Sequence, residues 1–600
     1  MIKYDITGEW RVGEDGAGST YTAKVPGDIF ADLTAAGVID DPYYADNSLR
    51  CAWVAERDWR YTKEFTADRL DRVTYLVFEG IDTFAEIYLN GAKIADTDNM
   101  FMKYRFDVSD KIHIGKNKLE VVIKSIRREL AKYPEEGYFG CFNVQRIFVR
   151  KAQCHFSWDW APDFPAMGIW KNVYIESIND TYIDNFRIRT ENDGHVTFFV
   201  NLPENCEYGR EREIELVLDG QTHRFKTTAQ KNFYILKIDN PKLWWPRFLG
   251  KQPLYGYEIR LFSDGVLCDE KKGRLGFRTV RLEEKPTLDA DGFTCQLYVN
   301  DTPVFLKGAN WVPMDVMTGT LTRERYEKAI KLAYDANFSM LRVWGGGIYE
   351  NDVFYELCDE LGIMVWQDFA YACADVPDNI PEFVDRAITE AEYQVCRLRN
   401  FTSLVLYCGG NEKTGSHGLN KKYGDRIIYY YIRGVVDHLD GTRPYFPSSP
   451  WGYGDIGNTK SSGDCHCNSY QTAMVTDLAD FRDVLKTFKA SLVSEIAVQG
   501  APQVSSLKKY IPADRLWPMN EMYDLHFMRN PYDETGKWFS QIQYESAERL
   551  FGKIGGLNDF CKKSSMLHSE LVRADCEYHK TRIGACSGTM TWMFNDIWPC

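Results

Sequence analysis

Ser403-Leu-Val-Leu-Tyr-Cys-Gly-Gly-Asn-Glu412 is the stretch that decides the fold of this chain. It begins as a short apolar run, typical of a buried parallel strand, and two glycines then allow close backbone approach before a carboxylate. Leu492-Val-Ser-Glu495 repeats this layout further along the chain. Carboxylates at the C-terminal ends of buried parallel strands are typical of α/β barrels. The two stretches therefore predict a barrel in which Glu412 and Glu495 face one cleft.

The sequence around these stretches alternates between strand and helix from about residue 284 onward. The apolar strands Val304-Phe-Leu-Lys-Gly308, Met340-Leu-Arg-Val-Trp344 and Ile363-Met-Val-Trp-Gln367 each precede a helical pattern. Helices are predicted over 323–336, 351–361, 382–399 and 426–439. This alternation predicts a (β/α)8 barrel over 284–600, with Glu412 closing strand 4 and Glu495 closing strand 7.

The last predicted strand lies close to the end of the chain at Cys600. No eighth helix follows it in the sequence, and an uncovered barrel strand would be prone to aggregation. We therefore expect that another segment covers this strand, or that the sequence is a fragment.

The part of the chain before residue 284 is predicted to be all β. Val73-Thr-Tyr-Leu-Val-Phe78 and Ala85-Glu-Ile-Tyr-Leu89 alternate apolar and polar residues, and Asn90-Gly91 after the second is a hairpin signal. These segments predict a β-sandwich over 1–180. Shorter segments of the same kind predict an immunoglobulin-like sandwich over 181–283.

Composition limits the class of protein and its partners. The formal net charge is −14, which argues against a nucleic-acid partner because phosphate binding needs basic clusters. No apolar run approaches the ~20 residues that span a bilayer, and the first ten residues are too charged for a signal peptide. The 16 Cys show no spaced framework, which favours reduced thiols and a cytoplasmic location. No pattern sets an oligomeric state.

The two glutamates define the predicted chemistry. Two carboxylates in one cleft can divide acid/base and nucleophilic work on an acetal, so the expected reaction is glycoside hydrolysis. A single Glu is most often a solvated surface residue, but an apolar run precedes both Glu412 and Glu495. The neighbouring amide of Asn411 can hydrogen-bond a sugar hydroxyl near the reacting carbon.

Three residues at the ends of strands 2 and 3 have alternative interpretations. Arg342 lies inside an apolar strand, and a buried guanidinium requires an acidic partner. It forms either a structural salt bridge or a hydrogen bond that ionises a nucleophilic carboxylate. Trp344 precedes three glycines, which favours an aromatic wall at an open barrel mouth. Asp368 either binds hydroxyls or caps the following loop.

Two further motifs carry residues that could recognise a ligand. Phe156-Ser-Trp-Asp-Trp160 places two aromatic rings around Asp159, which suits either a sugar clamp at the barrel mouth or an interdomain seam. Asp464-Cys-His-Cys467 resembles a metal motif, but adjacent residues of a strand cannot all face one ion, so a structural or substrate-facing role is favoured. No phosphate loop, Walker sequence or GxSxG elbow is apparent. No cofactor or metal is therefore predicted.

These motifs resemble those of glycoside hydrolase family 2, in particular its β-mannosidase branch. The resemblance runs almost end to end and implies a jelly-roll-like domain, an immunoglobulin-like domain and a catalytic barrel. The matching stretches, in chain order, are Arg150-Lys-Ala-Gln-Cys-His-Phe-Ser-Trp-Asp-Trp-Ala-Pro162, Gly168-Ile-Trp-Lys171, Leu243-Trp-Trp-Pro246, Gly276-Phe-Arg-Thr-Val280, Lys307-Gly-Ala-Asn-Trp-Val-Pro313, Arg342-Val-Trp-Gly-Gly-Gly347, Trp366-Gln-Asp-Phe369 and Asn595-Asp-Ile-Trp-Pro599.

The resemblance also implies roles for individual residues. Glu412 would be a protonated general acid/base and Glu495 an ionised nucleophile in a retaining double displacement. The implied substrate is an oligosaccharide or glycoside with a terminal non-reducing β-D-mannose. Alternatives are a β-galactoside or β-glucuronide specificity, or a carbohydrate-binding relative without turnover. The predicted substrate contacts are Asp159, Trp160, Arg342, Trp344, Asp368, Asn411, His466 and Trp592.

The chain departs from the family pattern at two places near the site. After the nucleophile the branch usually has Ser-Glu-Phe-Gly-Phe-Gln-Ser, whereas this chain has Ser494-Glu-Ile-Ala-Val-Gln-Gly500. Two residues after His466 the branch tends to carry an aromatic residue, and this chain carries Asn468. Both departures are expected to affect sugar specificity and leaving-group subsites. The family's further β-domains after Asn-Asp-x-Trp-Pro are not in this sequence.

Overall fold

The structure is a computed structural model of the 600-residue chain. It describes residues 1–204, 206–207, 209–287, 292–413, 422–452, 458, 461–467, 478–497, 499–526 and 539–600. Asn468, one of the two departures from the family pattern, lies outside these residues, as does Val498 of the other. Within the described ranges, no helix combines the length and apolar character that a membrane crossing requires.

Two antiparallel sheets form the first β-sandwich. Its strands are β1 (Ile2–Asp5), β2 (Gly8–Glu14), β3 (Tyr21–Val25), β4 (Trp59–Ala67), β5 (Val73–Phe78), β6 (Ala85–Leu89), β7 (Ala92–Thr97), β8 (Tyr104–Asp107), β9 (Gly115–Ile123), β10 (Phe156–Trp158), β11 (Ala161–Asp163) and β12 (Val173–Ile178). One sheet has the order β3-β2-β4-β9-β6-β7, the other has the order β1-β12-β5-β8, and β10 pairs with β11. Three short helices accompany them: α1 (Ile29–Ala35), α2 (Asn47–Arg50) and α3 (Ile126–Leu130).

The hairpin between β6 and β7 shows how local sequence sets this sandwich. Asn90 and Gly91 both have positive φ, 52° and 81°, as a tight two-residue hairpin turn requires. In β6, buried and half-buried side chains alternate, and Ile87 and Leu89 lie in the core. The turn and the alternation agree with those predicted from the sequence.

A second sandwich of antiparallel strands follows. Its strands are β13 (Asn185–Thr190), β14 (His195–Asn201), β15 (Arg212–Leu218), β16 (Gln221–Thr227), β17 (Lys231–Lys237), β18 (Tyr255–Ser263) and β19 (Val266–Leu275). The sheet orders are β13-β14-β17 and β16-β15-β18-β19. A small sheet of β20 (Val280–Glu283), β21 (Gln296–Val299) and β22 (Thr302–Pro303) leads into the next part of the chain.

The remaining strands form one parallel eight-stranded sheet that curls into a barrel. They are β23 (Leu306–Trp311), β24 (Met340–Val343), β25 (Met364–Asp368), β26 (Leu404–Cys408), β27 (Tyr445–Phe446), β28 (Cys465–Cys467), β29 (Val493–Ala497) and β30 (Gly588–Trp592). The order β27-β26-β25-β24-β23-β30-β29-β28 places the first strand of the barrel beside the last. The predicted fold class, two β-sandwiches followed by a (β/α)8 barrel, is confirmed.

Helices connect the barrel strands and cover their outer faces. They are α4 (Arg323–Asp335), α5 (Asp352–Leu361), α6 (Pro381–Leu398), α7 (Arg433–Leu439), α8 (Leu478–Thr487), α9 (Val504–Tyr510), α10 (Glu521–His526), α11 (Phe539–Phe551) and α12 (Leu557–Thr581). Three of the four predicted helices agree with the observed ones to within one residue at each end. The fourth differs, because residues Arg426–Ile432 form a π-helix before α7 begins.

The π-helix has a packing reason. Ile427 and Ile432 are five residues apart and both are fully buried, whereas Tyr430 between them is 70% exposed. The wider turn of a π-helix aligns residues five apart on one face. An ordinary α-helix would rotate one of the two isoleucines away from the core.

Another segment of the chain does cover the eighth strand. The side chain of Thr589 in β30 donates a hydrogen bond of 2.6 Å to Asp575 of α12. Beyond β30, the ring of Trp598 is 2% exposed and packs against the rings of Tyr43 and Phe164 from the first sandwich. Ile597 and Trp598 are therefore buried, and the ring of Trp598 packs against the first sandwich.

Candidate active site

The two predicted glutamates meet at one end of the barrel. Glu412 lies four residues beyond β26, the fourth strand, and Glu495 lies within β29, the seventh. Their side chains are 16% and 14% exposed. One carboxylate oxygen of each and one ring nitrogen of His466 all lie within 4.8 Å of one another. The two carboxyl groups therefore face the same cleft.

The backbone before Glu412 turns sharply, and glycine makes this turn possible. A Cβ on Gly409 would lie 2.4 Å from the carbonyl oxygen of Pro447. Gly410 has φ of +152°, and Glu412 itself adopts a φ of +52°. Left-handed backbone at a non-glycine residue is held by its surroundings, and here the Glu412 N–H donates to the carbonyl oxygen of Ser449 over 2.7 Å. The turn aims the Glu412 side chain into the cleft.

Arg342 joins the nucleophile candidate to the next two strands. Its guanidinium is fully buried and donates to Glu495 Oε1 over 2.6 Å and to Asp368 Oδ2 over 2.7 Å. It also donates to the side-chain oxygens of Asn411 and Asn310 at 2.7 and 3.0 Å. Acceptors on four residues use the several donors of the arginine fork. Arg342 thus serves both as a structural salt bridge and as a hydrogen-bond donor to Glu495.

Asp368 and Asn411 lie behind this guanidinium. Asp368 is fully buried, and its Oδ2 also accepts from the backbone N–H of Gly345 over 3.1 Å. The Asn411 amide nitrogen donates to the sulfur of Cys373 over 3.4 Å. Their contacts are thus with the protein, and the prediction that they also bind sugar hydroxyls stays a prediction.

Opposing influences act on Glu495. Burial raises the pKa of the Glu495 carboxyl, and the nearby carboxyl of Glu412 raises it further. The charges of His466 and Arg342 and the hydrogen bond from Arg342 lower the same pKa. Burial outweighs these opposing effects, so the pKa of Glu495 is raised overall, and Arg342 is the permanent positive charge that favours the ionised form a nucleophile requires.

His466 bridges the two glutamates. Its Nδ1 lies 3.0 Å from Glu412 Oε1 and 3.4 Å from Glu495 Oε2. On the other side of the ring, Nε2 lies 3.1 Å from the hydroxyl oxygen of Ser449. Cys465 and Cys467 are buried in the separate apolar cluster around Phe481. Strand alternation therefore separates the cysteines from His466, as the sequence predicts.

Two groups of side chains have the spacing of metal ligands among the described residues. One consists of Glu412, His466 and Glu495, and the other lies at the surface on Glu191, Asp193 and His195. In the first group Arg342 places a permanent positive charge 2.6 Å from Glu495, and that charge opposes a second cation. Both carboxyl groups of the second group are exposed, and such exposed acidic groups are common without an ion.

Tryptophans from the first sandwich and the barrel meet at the barrel mouth. Trp160 lies 5.3 Å from Trp344 and 5.9 Å from Trp592 between ring centroids, and Trp344 lies 5.4 Å from Trp592. Trp344 is only 2% exposed, so it packs inside this cluster more than it lines an open mouth. The indole N–H groups of Trp160 and Trp344 are buried and have no acceptor among the described residues. The loop that carries Trp160 therefore reaches the barrel mouth.

Asp159 lies between Trp158 and Trp160 in the sequence. In space it is close to both glutamates. Burial raises the pKa of Asp159 from its ordinary value of 3.8 to about 7, and the charges of Glu412 and Glu495 contribute to the rise. Three carboxyl groups therefore share one region of low dielectric. At neutral pH some of them must hold protons.

Sequence reasoning missed three residues that contact this site. Asn310 accepts from Arg342 and donates to the carbonyl oxygens of Ser494 and Thr591 at 3.0 and 3.2 Å. Ser449 contacts His466, and the thiol of Cys373 donates to Glu412 Oε2 over 3.1 Å. Asn310 lies near the C-terminal end of β23 and Ser449 follows β27, and a position at the end of a barrel strand is the signal that could have identified them.

The fold and the site together define an enzyme class. A barrel that brings two carboxyl groups together at the ends of its fourth and seventh strands, beside an aromatic cluster, can cleave an acetal between two such groups. The protein is thus a glycoside hydrolase.

Comparisons with known proteins place this enzyme in a family. Residues 10–171 match the family model "Glycosyl hydrolase 2 galactose-binding domain-like", and residues 181–278 match "Glycosyl hydrolases family 2". The beta-mannosidase of Mus musculus is 32% identical over 660 aligned positions, which cover 99% of this chain and 73% of that protein. The beta-mannosidase B of Thermothelomyces thermophilus is 30% identical, covering 96% of this chain and 71% of that protein.

Comparison with solved structures gives the same family of similar proteins. The crystal structure of a beta-D-mannosidase from Dictyoglomus thermophilum matches with a TM-score of 0.93 and 33% identity, over 100% of this chain and 75% of that chain. The exo-chitosanase of Amycolatopsis orientalis shares the fold, with a TM-score of 0.76 at 18% identity, over 100% of this chain and 71% of that one. The chain belongs to glycoside hydrolase family 2.

Proposed function

We propose that this chain is an exo-acting retaining β-mannosidase that removes terminal non-reducing β-D-mannose residues from oligosaccharides or glycosides. The observation that carries the proposal is the spacing of the Glu412 and Glu495 carboxyl groups: one oxygen of each lies within 4.8 Å of the other. Retaining glycosidases hold their carboxyl groups about 5–5.5 Å apart, whereas inverting ones need about 6.5–9.5 Å. Relatives named beta-mannosidases, similar over 96–99% of this chain, support mannose as the sugar.

In the first step Glu412 acts as the general acid and Glu495 as the nucleophile. Glu412 gives its proton to the glycosidic oxygen while a Glu495 oxygen attacks the anomeric carbon from the opposite face. The bond to the leaving group breaks, and a covalent glycosyl-enzyme forms with inverted configuration. Arg342, bonded to Glu495 over 2.6 Å, orients the attacking oxygen and keeps the nucleophile ionised.

In the second step Glu412 acts as a general base. Glu412 is now ionised, so it can take a proton from a water molecule that attacks the anomeric carbon. The bond to Glu495 breaks, and the second inversion restores the original configuration. In the glycosyl-enzyme Glu495 is an ester and carries no negative charge. When the ester bond breaks, Arg342 stabilises the Glu495 carboxylate that is released.

The first sandwich supports exo action. Its Trp160 packs on Trp344 and Trp592 at the barrel mouth, with Asp159 beside the two glutamates. A mouth narrowed from one side suits a terminal sugar better than the middle of a long chain. We propose that Asp159, Trp160 and Trp592 contact the terminal sugar, with the aromatic rings covering its C–H faces.

A panel of p-nitrophenyl β-glycosides tests the function with wild type, Glu495→Ala, Glu412→Ala and the surface control Glu327→Ala. Glu327 is exposed, and it forms an ion pair with Arg323 one turn earlier in α4. We expect turnover of the β-mannoside, and a loss on the order of 10⁴-fold or more in Glu495→Ala because no covalent step remains. Glu327→Ala should match wild type.

Added azide separates the two roles. In Glu412→Ala azide should attack the glycosyl-enzyme and give the β-mannosyl azide, whereas in Glu495→Ala it should give the α-azide by direct displacement. Nuclear magnetic resonance identifies the anomer formed. Full activity of Glu495→Ala would remove the nucleophile assignment. Turnover of a β-galactoside or β-glucuronide instead would change the sugar, and binding without any turnover would favour a non-catalytic carbohydrate-binding role.

We also propose a cytoplasmic location. None of the 16 cysteines, all of which lie in the described part of the chain, forms a disulfide, and most of them are buried. Disulfides form and persist in oxidising compartments, so a set of thiols this large suits a reducing one. Cell fractionation of the tagged protein tests the location, and recovery in a secreted or periplasmic fraction would contradict it.

A further inference from the structure

A buried chain of hydrogen bonds runs from Asp464 through Ser449 to His466 and ends between the two glutamates. The Ser449 hydroxyl lies 2.6 Å from Asp464 Oδ2 and 3.1 Å from His466 Nε2. Nδ1 of the same ring lies 3.0 Å from Glu412 Oε1. Asp464 and Ser449 are fully buried and His466 is 3% exposed. These hydrogen bonds therefore link the candidate acid/base to a fully buried carboxyl group.

Asp464 acts only as an acceptor. Its Oδ2 accepts from Ser449 and from Ser494, both over 2.6 Å, and its Oδ1 accepts from the backbone N–H of Trp451 over 2.7 Å. Burial raises the pKa of Asp464 overall, and the charges of His466 and Arg342 and the two hydroxyl bonds offset part of that rise. Three donors around one carboxyl group favour the carboxylate.

The single hydroxyl proton of Ser449 determines whether Nε2 of His466 carries a hydrogen. A hydroxyl donates one hydrogen bond, and the 2.6 Å contact with a carboxylate is stronger than the 3.3 Å contact with the Ser494 hydroxyl. Once Ser449 donates to Asp464, its oxygen can only accept from His466. A hydrogen must therefore sit on Nε2.

With Nε2 protonated, the contact between Nδ1 and Glu412 needs one more proton. Either Nδ1 carries it and Glu412 is a carboxylate, or Glu412 carries it and Nδ1 accepts. In both states the pair holds the proton that the leaving group requires. The tautomer with hydrogen on Nδ1 alone, facing an ionised Glu412, would lack that proton.

We propose that Asp464 and Ser449 are positioning residues, which hold a hydrogen on Nε2 of His466 so that Nδ1 and Glu412 share the acid proton. The proposal rests on the assignment of Glu412 as the acid/base. Without the Ser449 hydroxyl, the tautomer that lacks the acid proton becomes accessible, and the enzyme should lose its acid form at a lower pH.

The charged and titratable groups around this imidazole come from several elements. Among the described residues they are Asp464 at the start of its own strand, Glu412 after β26, Glu495 in β29, Arg342 in β24, Asp159 of the first sandwich and Cys373 beside Glu412. On the Nε2 side of the ring, Ser449 makes the direct hydrogen bond and Asp464 acts through Ser449. Changes at Ser449 therefore act on one side of the ring and leave the direct glutamate contacts in place.

The main test compares pH profiles of kcat/KM for wild type, Ser449→Ala and Asp464→Asn. With phenyl β-mannoside, whose leaving group needs a proton, the basic limb should move to lower pH by about one unit, the shift expected for the loss of one hydrogen bond to a charged network. With 2,4-dinitrophenyl β-mannoside, whose leaving group departs unprotonated, the limb should move far less.

Ser491→Ala is the matched control. Ser491 lies just before β29 and is also buried. Its hydroxyl donates a hydrogen bond of the same 2.6 Å length, but the acceptor is the carbonyl oxygen of Phe293. Its profile should overlay that of wild type with both substrates. A loss in Ser449→Ala that is equal at every pH and for both leaving groups would indicate a structural role and overturn the proposal.

Nitrogen-15 resonances of labelled histidine test the same proposal without turnover. Wild type should show His466 with a hydrogen on Nε2, assigned by its disappearance in His466→Gln, and Ser449→Ala should show loss of that hydrogen. A wild-type ring with hydrogen only on Nδ1 overturns the proposal even if the variants fail to fold. If wild type hydrolyses no β-mannoside, the proposed function fails, whereas these resonances still decide the state of His466.

Discussion

Asp159 shows at the scale of one residue how a buried carboxyl group opposes folding. Burial raises the pKa of this carboxyl from 3.8 to about 7. The folded protein therefore keeps Asp159 protonated over a pH range in which the unfolded chain releases the proton. The free energy of unfolding consequently falls as the pH rises from about 4 to about 7. An uncharged residue of the same shape avoids that loss.

Asp159→Asn is therefore expected to stabilise the protein in a pH-dependent way. The gain in thermal midpoint over wild type should be absent near pH 4, grow toward pH 7 and stay constant above it, while β-mannosidase activity falls because a sugar contact is lost. Asp5→Asn is a control of opposite sign: hydrogen bonds from Thr7 lower the pKa of Asp5, so this variant should lose a constant amount of thermal midpoint above about pH 4. Thermal melts from pH 4 to 8 measure both, and a gain independent of pH would contradict the prediction.

Single residues also show what the sequence could predict about the site. Arg342 was identifiable because a charge inside an apolar strand needs a buried partner, and its salt bridge with Asp368 follows that logic. Glu412 and Glu495 were identifiable from the strands that precede them. Asn310 and Ser449 are common residue types in loops, and only the folded backbone places them beside Arg342 and His466. Their roles as catalytic or positioning residues stay predictions.

At the scale of one element, the end of β26 depends on two glycines. A Cβ on Gly409 would lie 2.4 Å from both the Pro447 carbonyl oxygen and the Tyr445 hydroxyl. Contacts that short force the backbone to move. Glu412, whose side chain faces the cleft, is only three residues away. The geometry of this turn and the position of the acid/base candidate are therefore coupled.

Gly409→Ala is expected to lower stability by about 1–3 kcal/mol, because it overpacks a buried site. It should also lower kcat by on the order of 10²-fold, since a displacement of about 1 Å of a catalytic group has that effect. Gly434→Ala is the control, because Gly434 lies in α7 with nothing within 4 Å of an added Cβ, and alanine should be neutral or slightly stabilising there. Denaturant unfolding and initial rates measure both changes, and equal behaviour of the two variants would contradict this account.

The elements themselves were largely predictable where periodicity is strong. Helices α4, α5 and α6 begin and end within one residue of their predicted limits, because each has a clear apolar face. The π-helix at Arg426–Ile432 was not predictable, since it depends on which isoleucines the barrel buries. The predicted domain limits at 180/181 and 283/284 stay predictions.

At the scale of the whole molecule, one buried ion pair joins the first sandwich to the barrel. Arg150 donates to both carboxylate oxygens of Glu390 in α6, at 2.6 and 2.8 Å, and both side chains are 1% exposed. Asn99 of the sandwich and Tyr349 of the barrel each donate to the same carboxylate over 2.9 Å. The loop with Trp158 and Trp160 follows Arg150 by eight to ten residues, so this pair helps to hold that loop against the barrel mouth.

Glu390→Gln should therefore affect both stability and substrate binding. It leaves the guanidinium of Arg150 buried without a counter-charge, which costs about 3–5 kcal/mol in comparable buried pairs. Because the sandwich then holds the Trp160 loop less firmly, KM for the β-mannoside should rise more than kcat falls. Glu392→Gln, two residues along the same helix but exposed, should stay within about 0.5 kcal/mol of wild type. A Glu390→Gln variant with lower stability but unchanged KM would show that the ion pair holds the domains together without positioning the sugar-binding loop.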